Sequence, residues 1–270
     1  MKQRLITAAL IIAVALPVII IGGVPILILG GILTLVAAGE MIAMRETVNL
    51  APIEIKALVW LATLWVVFQN YDFGGFSLSG ASAISLEVVA GILFLLLIFV
   101  VLRKGFKVAD AGFYLMTIIY VGTTFRSMLF LRQLNLSLFV FMILVVAITD
   151  SAAYFVGRKF GRHKLAPLVS PKKTVEGAIG GTIGGVIAGT VFGLLSNMNA
   201  SLIVLLLLSL IAAVVGQFGD LMASSMKREY GIKDFGKIFP GHGGVLDRLD
   251  SQLFASLALY LVISLFNVVI

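Results

Sequence analysis

Long apolar runs follow one another along almost the whole chain, and they constrain its fold more than any other feature. Of the 270 residues, 60% are hydrophobic and 12% are charged, and the mean hydropathy is +1.13. A soluble domain of this length has too little interior to bury so much apolar surface. Alternating strand patterns are absent, which favours helices over a membrane barrel. The sequence therefore predicts an all-α polytopic membrane protein.

We predict about nine transmembrane helices, each close to the roughly 20 residues that a bilayer requires. They cover residues 5–22, 25–44, 54–70, 84–102, 109–130, 136–157, 175–195, 200–225 and 249–269. The first run follows Lys2 and Arg4, as the apolar part of a signal peptide would. It continues past Gly22 and Pro25 without an evident cleavage site, so we expect two uncleaved helices joined by a tight turn.

Basic residues predict the orientation of these helices, because Lys and Arg collect in cytoplasmic loops. The loops at 71–83 and 196–200 carry no cation. The cationic ends contain Lys2, Arg4, Arg45, Lys56, Arg103, Lys104, Lys107, Arg158, Lys159, Arg162, Lys164, Lys172, Lys173, Lys227, Arg228, Lys233 and Lys237. All of these lie on one side of the membrane if the amino terminus is cytoplasmic. Arg126 and Arg132 do not fit this rule, because they fall on the predicted outer side. We therefore expect a multi-pass protein of the inner (plasma) membrane, with its carboxyl terminus outside.

Composition also narrows the classes of function. The chain has no cysteine, which excludes disulfides and thiolate-bound metals. Its net charge of +7 suits both cytoplasmic loops and anionic ligands. The cations stand at membrane ends and form no extended soluble face, so we expect no nucleic-acid partner.

We divide the chain into residues 1–134 and a catalytic region, residues 135–270. The first region carries little chemistry, and we expect it to supply a scaffold, a lipid groove or a homodimer surface. Its acids stand at or near predicted helix ends, where we interpret them as interfacial. They are Glu40, Glu46, Glu54 and Glu87.

Glycines recur every four residues in the predicted helix at 175–195. They are Gly177, Gly181, Gly185, Gly189 and Gly193. On a helix they form a stripe without side chains, so we expect another helix to pack closely against it.

Charged residues are concentrated at 224–250, between two apolar runs. Charge in this position costs membrane-insertion energy, so we expect it to serve a function. Asp220 precedes this stretch. Spacings of four, seven and eight residues place Ser224, Lys227 and Arg228 on the helical face of Asp220. A neutralised structural pair would explain the same spacing.

Acids at several predicted helix ends indicate a Mg²⁺ site. Asp247 and Asp250 share a face at the start of the last helix, where capping is the alternative explanation. Together with Asp220 they offer carboxylate oxygens on the cytoplasmic side, and Mg²⁺ adds water and substrate phosphates to such ligands. Asp150, which ends another apolar run, is a lesser candidate ligand.

A glycine-rich loop at 239–244 leads into the last predicted helix. We expect its amides, including those of Gly243 and Gly244, to converge on an anion. His242 would either bond phosphate or brace the loop.

A second basic stretch also predicts phosphate binding. Ser170 followed by Pro171 is typical of a helix N-cap and first helical residue. Lys172 and Lys173 would then lie in the first turn beside outward-pointing amides. Membrane topology alone explains part of this positive charge.

Ordered motifs connect these features. The stretch at 224–250 contains Ser224-x-Met226-Lys227-Arg228, then Lys233-Asp234-x-Gly236 leading to Pro240, then His242-Gly243-Gly244-x-x-Asp247-Arg248-x-Asp250. Upstream lie Asp150, Tyr154, Gly157 and the run Ser170-Pro171-Lys172-Lys173-Thr174-x-Glu176-Gly177. This arrangement resembles the signature of the phosphatidate cytidylyltransferases (CDP-diacylglycerol synthases). It covers the carboxyl-terminal half, whereas the first half resembles the family only in its spans.

The resemblance implies the reaction CTP + phosphatidic acid → CDP-diacylglycerol + pyrophosphate, with Mg²⁺, a second cation as a further expectation, and membrane lipid as partner. We assign catalytic roles to Asp220, Asp247, Lys227 and Arg228, and metal binding to Asp220, Asp247, Asp250 and Asp150. Phosphate or nucleotide binding is assigned to Ser170, Lys172, Lys173, Thr174, His242, Gly243, Gly244 and Arg248.

Two other functions stay open at this point. A CTP-dependent lipid kinase would use the same groups but transfer the γ-phosphate, leaving CDP rather than pyrophosphate. An ion-coupled transporter would also have many spans and membrane acids. Transporters often carry internal repeats, however, and here the charges collect at one membrane face.

Overall fold

The computed structural model describes residues 2–69, 86–196, 198–266 and 268, and this part of the chain forms nine helices and one β-hairpin. The helices are α1 (Lys2–Ile21), α2 (Gly23–Glu46), α3 (Ile53–Phe68), α4 (Leu86–Leu102), α5 (Val108–Leu134), α6 (Leu136–Phe160), α7 (Val175–Leu195), α8 (Leu202–Glu229) and α9 (Leu246–Phe266). Six of them, α2 and α5 to α9, are long and apolar enough to cross a membrane. The chain is therefore a multi-pass membrane protein. The predicted loop at 71–83 lies outside the described residues.

The helical fold is as predicted, and one short hairpin that the sequence did not predict is added to it. Strands β1 (Lys164–Ala166) and β2 (Ser170–Thr174) pair antiparallel between α6 and α7, with Ala166 opposite Ser170. The amide of Val169 donates to the carbonyl of Ala166 at 3.2 Å, which closes a turn. Pro167 occupies the second position of this turn, where proline is favoured.

Polar contacts between distant segments divide the helix ends into two groups. Arg45, in the last turn of α2, bonds Asp110 in the first turn of α5 at 2.6 Å and the hydroxyl of Tyr230, after α8, at 3.0 Å. We call the end of the molecule that holds these residues the polar end. At the opposite end, Arg132 of α5 donates to the carbonyl of Ile19 in α1 at 2.5 Å. Arg132, an exception to the predicted charge distribution, therefore bonds a backbone carbonyl near the end of α1.

The glycine stripe of α7 packs against α6, as expected. Gly177, Gly181, Gly185, Gly189 and Gly193 are all buried. A Cβ atom added to Gly181 would lie 2.7 Å from the carbonyl oxygen of Thr149, which is closer than real Cβ atoms come. This backbone contact fixes the base of the hairpin relative to α6.

Buried apolar side chains form two clusters. The first joins α2, α3 and α5 to the polar-end parts of α8 and α9, through residues such as Met226 and Leu253. The second joins α6 to deeper parts of α8 and α9, through residues such as Leu205 and Leu259. The division of the chain at residue 134 stays a prediction, and the first cluster includes residues from both sides of it.

Candidate functional site

The hairpin brings a lysine against an acid of α8. The Lys173 ammonium lies 2.6 Å from Asp220 Oδ2, and both side chains are partly exposed. Asp220 Oδ1 also accepts a hydrogen bond from Ser224 Oγ, one helical turn later, at 3.3 Å. The predicted shared face of Asp220 and Ser224 is therefore present, and the cation paired with Asp220 comes from the hairpin.

The prediction that Ser170 caps a helix was wrong. Residues 170–174 form β2, and the N-cap of α7 is Thr174, whose Oγ1 accepts a hydrogen bond from the amide of Gly177 at 3.1 Å. Lys172 and Lys173 consequently lie on a strand and not in a first helical turn. The pairing of Ser170 with Ala166 holds this segment extended, because strand pairing and a helical turn need different backbone angles.

Glu176, in the first turn of α7, closes the base of the hairpin. Its carboxylate accepts the amide of Arg162 at 3.0 Å, and one of its oxygens lies 2.6 Å from His163 Nδ1. These bonds join the end of α6 to the start of α7 and so fix where β2 presents its lysines.

Three acids from three helices lie within electrostatic range of one another, and Lys173 pairs with one of them. Asp150 on α6, Asp220 on α8 and Asp250 on α9 repel one another electrostatically, and Lys173 attracts Asp150. We call these three residues the acidic cluster. Asp250 Oδ1 accepts the amide of Ser251 at 2.7 Å. Carboxylates that repel one another at a membrane-helix end are retained for function more often than for stability.

A polar cavity of about 490 Å³ opens beside the acidic cluster. Its charged lining consists of Asp150, Arg158, Lys172, Lys173 and Asp220. Cations that surround carboxylates in one cavity fit a ligand that carries several phosphates together with a metal ion.

Asp247 belongs to a different arrangement from the acidic cluster. Its Oδ1 lies 2.7 Å from Lys227 Nζ, and its Oδ2 accepts the amides of Phe235 at 2.7 Å and Gly244 at 2.9 Å. The side chain of Asp247 is only 3% exposed. Any metal ion bound by Asp247 would compete with these three donors.

The glycine-rich loop also uses amides that were predicted to bind an anion. The amides of His242 and Gly243 donate to the carbonyl of Phe239 at 2.8 and 3.1 Å, while that of Gly244 donates to Asp247. The expected cradle of open amides at Gly243 and Gly244 is therefore not present in this geometry. The ring nitrogen Nδ1 of His242 is buried and has no hydrogen-bond partner within the described residues.

Glu40, on α2, holds the start of α9 from the other half of the chain. Its two carboxylate oxygens accept the amides of Val245 at 2.8 Å and Leu246 at 2.9 Å. The residue is buried, 5% exposed. A Cβ atom added to Gly236 would lie 2.5 Å from Glu40 Oε1, and one added to Gly244 would come closer still. The loop can therefore approach the Glu40 carboxylate this closely only because positions 236 and 244 are glycines.

A family model for the cytidylyltransferase family matches residues 2–266. The chain belongs to this family. The phosphatidate cytidylyltransferase of Bacillus subtilis (strain 168) is 37% identical over 270 residues, which cover 99% of each chain. The proteins of the same name from Staphylococcus saprophyticus and Staphylococcus haemolyticus are 36% and 35% identical, over 94% of this chain and 95% of theirs. The similarity thus extends through the first half, beyond the motifs that the sequence alone connected to the family.

The remaining predicted site residues of this cytidylyltransferase lie at the polar end in varied surroundings. Arg228 is exposed and donates weakly to the carbonyl of Ile232 at 3.5 Å. Arg248 is exposed on α9, and within the described residues its side chain has no hydrogen-bond or ion-pair partner. Lys172 is exposed at the cavity wall. Thr174 is buried there as the helix cap.

Sequence reasoning missed Glu40 and Gln217. Glu40 was interpreted as an interfacial acid, although it stands within an apolar run, and an acid inside a membrane helix is a functional candidate by default. Gln217, three residues before Asp220, donates to Thr182 Oγ1 at 2.9 Å and lines the polar cavity. No sequence signal distinguished Gln217 from an ordinary polar residue.

Proposed function

We propose that the chain transfers the cytidylyl group of CTP to phosphatidic acid, giving CDP-diacylglycerol and pyrophosphate. The observation that carries the proposal is the polar cavity, in which Asp150 and Asp220 of the acidic cluster meet the lysines of β2 at a membrane-helix end. The full-length similarity to proteins named phosphatidate cytidylyltransferase supports the same substrates.

The reacting groups need positioning more than proton removal. A phosphate monoester has a second pKa near about 6, so the lipid phosphate is already largely ionised at neutral pH. One of its oxygens attacks the α-phosphorus of CTP, the bond from that phosphorus to the bridging oxygen breaks, and pyrophosphate leaves. Lys172 and Lys173 would hold the polyanions together in the cavity and stabilise the charge on the leaving group.

We also propose that Mg²⁺ serves this reaction at the acidic cluster. Within the described residues, no three acidic or histidine side chains form a metal centre by themselves. Mg²⁺ commonly takes one or two carboxylates and completes its shell with water and substrate phosphates, so Asp150 and Asp220 at the cavity wall would be enough to hold it. When bound, the ion supplies positive charge to the reacting and leaving phosphates. Asp247 as a ligand, and a second cation, stay predictions.

The proposed orientation places the acidic cluster at the cytoplasmic face of the inner membrane, with nine spans and a cytoplasmic amino terminus. The concentration of cations at the polar end supports it. Since the chain has no cysteine, single cysteines introduced at Leu168 in the hairpin turn and Asn199 after α7 report their own side. A membrane-impermeant thiol reagent on intact cells should label Asn199→Cys but not Leu168→Cys, and the reverse result would invert the topology. A homodimer stays a prediction, to be checked by light scattering of the purified protein.

Two labelled forms of CTP test the reaction. Purified protein with phosphatidic acid and Mg²⁺ should place label from [α-³²P]CTP in the lipid and release label from [γ-³²P]CTP as pyrophosphate. Label from the γ-position in the lipid would instead identify a kinase. Asp220→Asn should lower turnover by about a hundredfold or more. Glu229→Gln, an exposed acid at the end of α8, is the control and should leave turnover unchanged.

A further inference from the structure

An apolar cavity of about 280 Å³ lies between α1, α2, α5, α6 and α9. Its lining is apolar except for Arg248 and Gln252, both on α9. Asp250 points away from this cavity, because it stands about 150° around α9 from the face that Arg248, Leu249 and Gln252 share, at about 100° per residue. The cavity therefore lies behind α9 as viewed from the acidic cluster.

The two polar residues of this cavity both have unused bonding capacity. The guanidinium of Arg248 has no ion-pair or hydrogen-bond partner in the part of the chain that the structure describes. The side-chain oxygen of Gln252 is buried and likewise unpaired within that part. A cavity with apolar walls and an unpaired cation at one edge matches an amphipathic anion, because apolar cavities take apolar groups and guanidinium binds phosphate.

We propose that this cavity holds one acyl chain of the phosphatidic acid, and that Arg248, in the first turn of α9, attracts the lipid phosphate at the edge of the cavity while the reacting phosphate oxygen reaches CTP around the end of that helix. The inference rests on the proposed function, which supplies a substrate with a phosphate next to acyl chains. The cavity is close to the smallest of the ligand pockets that proteins use, about 300 Å³, and so takes part of one chain. Residues 1–134 then contribute a lipid groove, through α1, α2 and α5.

A second apolar groove, of about 300 Å³, lies between α7 and α8 and adjoins the polar cavity. It shares Leu165, Ala178 and Gln217 with that cavity, but no cation lines it. It is the competing location for the acyl chain. Ile183, which lines it and is largely exposed, provides the variant that tests this competitor.

Neighbouring isoleucines of α1 form a matched pair for the test. Ile11 lines the proposed acyl cavity, whereas Ile12 is 61% exposed on the outer face of the same helix. Ile11→Trp should lower the ratio of kcat/KM for dioleoyl over dioctanoyl phosphatidic acid by about tenfold or more, because the filled cavity no longer accepts a long chain. Ile12→Trp should leave this ratio unchanged, and neither variant should alter the KM for CTP. Arg248→Gln should raise the KM for phosphatidic acid and not that for CTP.

Several results would overturn the acyl-site inference while leaving the proposed function intact. These are a wild-type ratio in Ile11→Trp, equal changes in Ile11→Trp and Ile12→Trp, and a change confined to Ile183→Trp. An inactive wild-type protein would instead refute the proposed function. If Ile11→Trp does not fold, phosphatidic acid with a photoactivatable acyl chain tests the wild-type protein directly. Crosslinks should fall on α1 and α2, and crosslinks only on α7 and α8 would disprove the assignment.

Discussion

Replacing Glu40 by glutamine tests whether α2 holds the glycine-rich loop and the start of α9 in place. The carboxylate accepts two amides, at 2.8 and 2.9 Å, in a buried position. Hydrogen bonds to a charged group contribute about 1.5–3 kcal/mol each. Glutamine keeps one acceptor and turns an NH₂ group towards the other amide, so one bond is lost and one is weakened. We expect a loss of about 3 kcal/mol in the free energy of unfolding.

Thermal unfolding in detergent, followed by tryptophan fluorescence, measures this loss. A protein of this size loses about 2–4 °C of Tm per kcal/mol, so the expected shift is roughly 6–12 °C. Glu87→Gln, an exposed glutamate in the first turn of α4, is the matched control and should shift Tm little. If Glu40→Gln and Glu87→Gln unfold together, Glu40 does not bind the loop in the way described. A positioning role further predicts a lower kcat with little change in the KM for CTP.

The contact with Gly244 allows a sharper version of the same test. An alanine at 244 would overlap the Glu40 carboxylate, so Gly244→Ala should destabilise the wild-type protein. In the Glu40→Ala background that overlap is gone. We expect the double variant to be more stable than the sum of the single changes by about 1 kcal/mol or more. Additive effects would mean that the two residues do not touch.

Three further variants test other parts of the architecture. Lys173→Met removes the cation from the acidic cluster, and pyrophosphate release should fall about a hundredfold or more. Gly181→Leu forces side-chain atoms into a carbonyl of α6. It should reduce the monodisperse fraction in size-exclusion chromatography, whereas Gly112→Leu, with open space around it, should not. Thr174→Val removes the cap of α7 and should lower the free energy of unfolding by about 1 kcal/mol, with Thr174→Ser restoring most of it.

Local sequence patterns predicted the positions of the helices well. The helix expected at 175–195 is found at Val175–Leu195, because its apolar run is bounded by polar residues at both ends. The glycine stripe predicted a close helix contact, since a four-residue period needs no knowledge of the partner. Asp150, Asp220 and Asp250 were selected because charges at the ends of apolar runs are conspicuous in so hydrophobic a chain. Their role as metal ligands stays a prediction, and Asp247, which was predicted beside them, lies in a different arrangement.

Long-range pairing explains what the sequence did not predict. Ser170-Pro171 has the local pattern of a helix start, and only the pairing of Ser170 with Ala166 makes it a strand. Glu40 meets amides 205 and 206 residues away, and no local pattern connects them. The glycine-rich loop has the composition of an anion cradle, but the carboxylates of Glu40 and Asp247 already bind the amides at its end.

Charge compensation separates the two sets of acids at the polar end. Glu40 and Asp247 receive four backbone amides and Lys227 between them, so each is bonded by the protein itself. The acidic cluster has three carboxylates, one of which is paired with Lys173. Lys227 attracts Asp250 but bonds Asp247. A cavity lined by both carboxylates and lysines favours a bound cation together with a polyanion, because a cation alone would be repelled by the lysines and a polyanion alone by the carboxylates. Binding of CTP should therefore strengthen in the presence of Mg²⁺, and Mg²⁺ binding should strengthen equally in the presence of CTP. Calorimetric titrations in both orders measure this coupling, and independent binding of the two would contradict it.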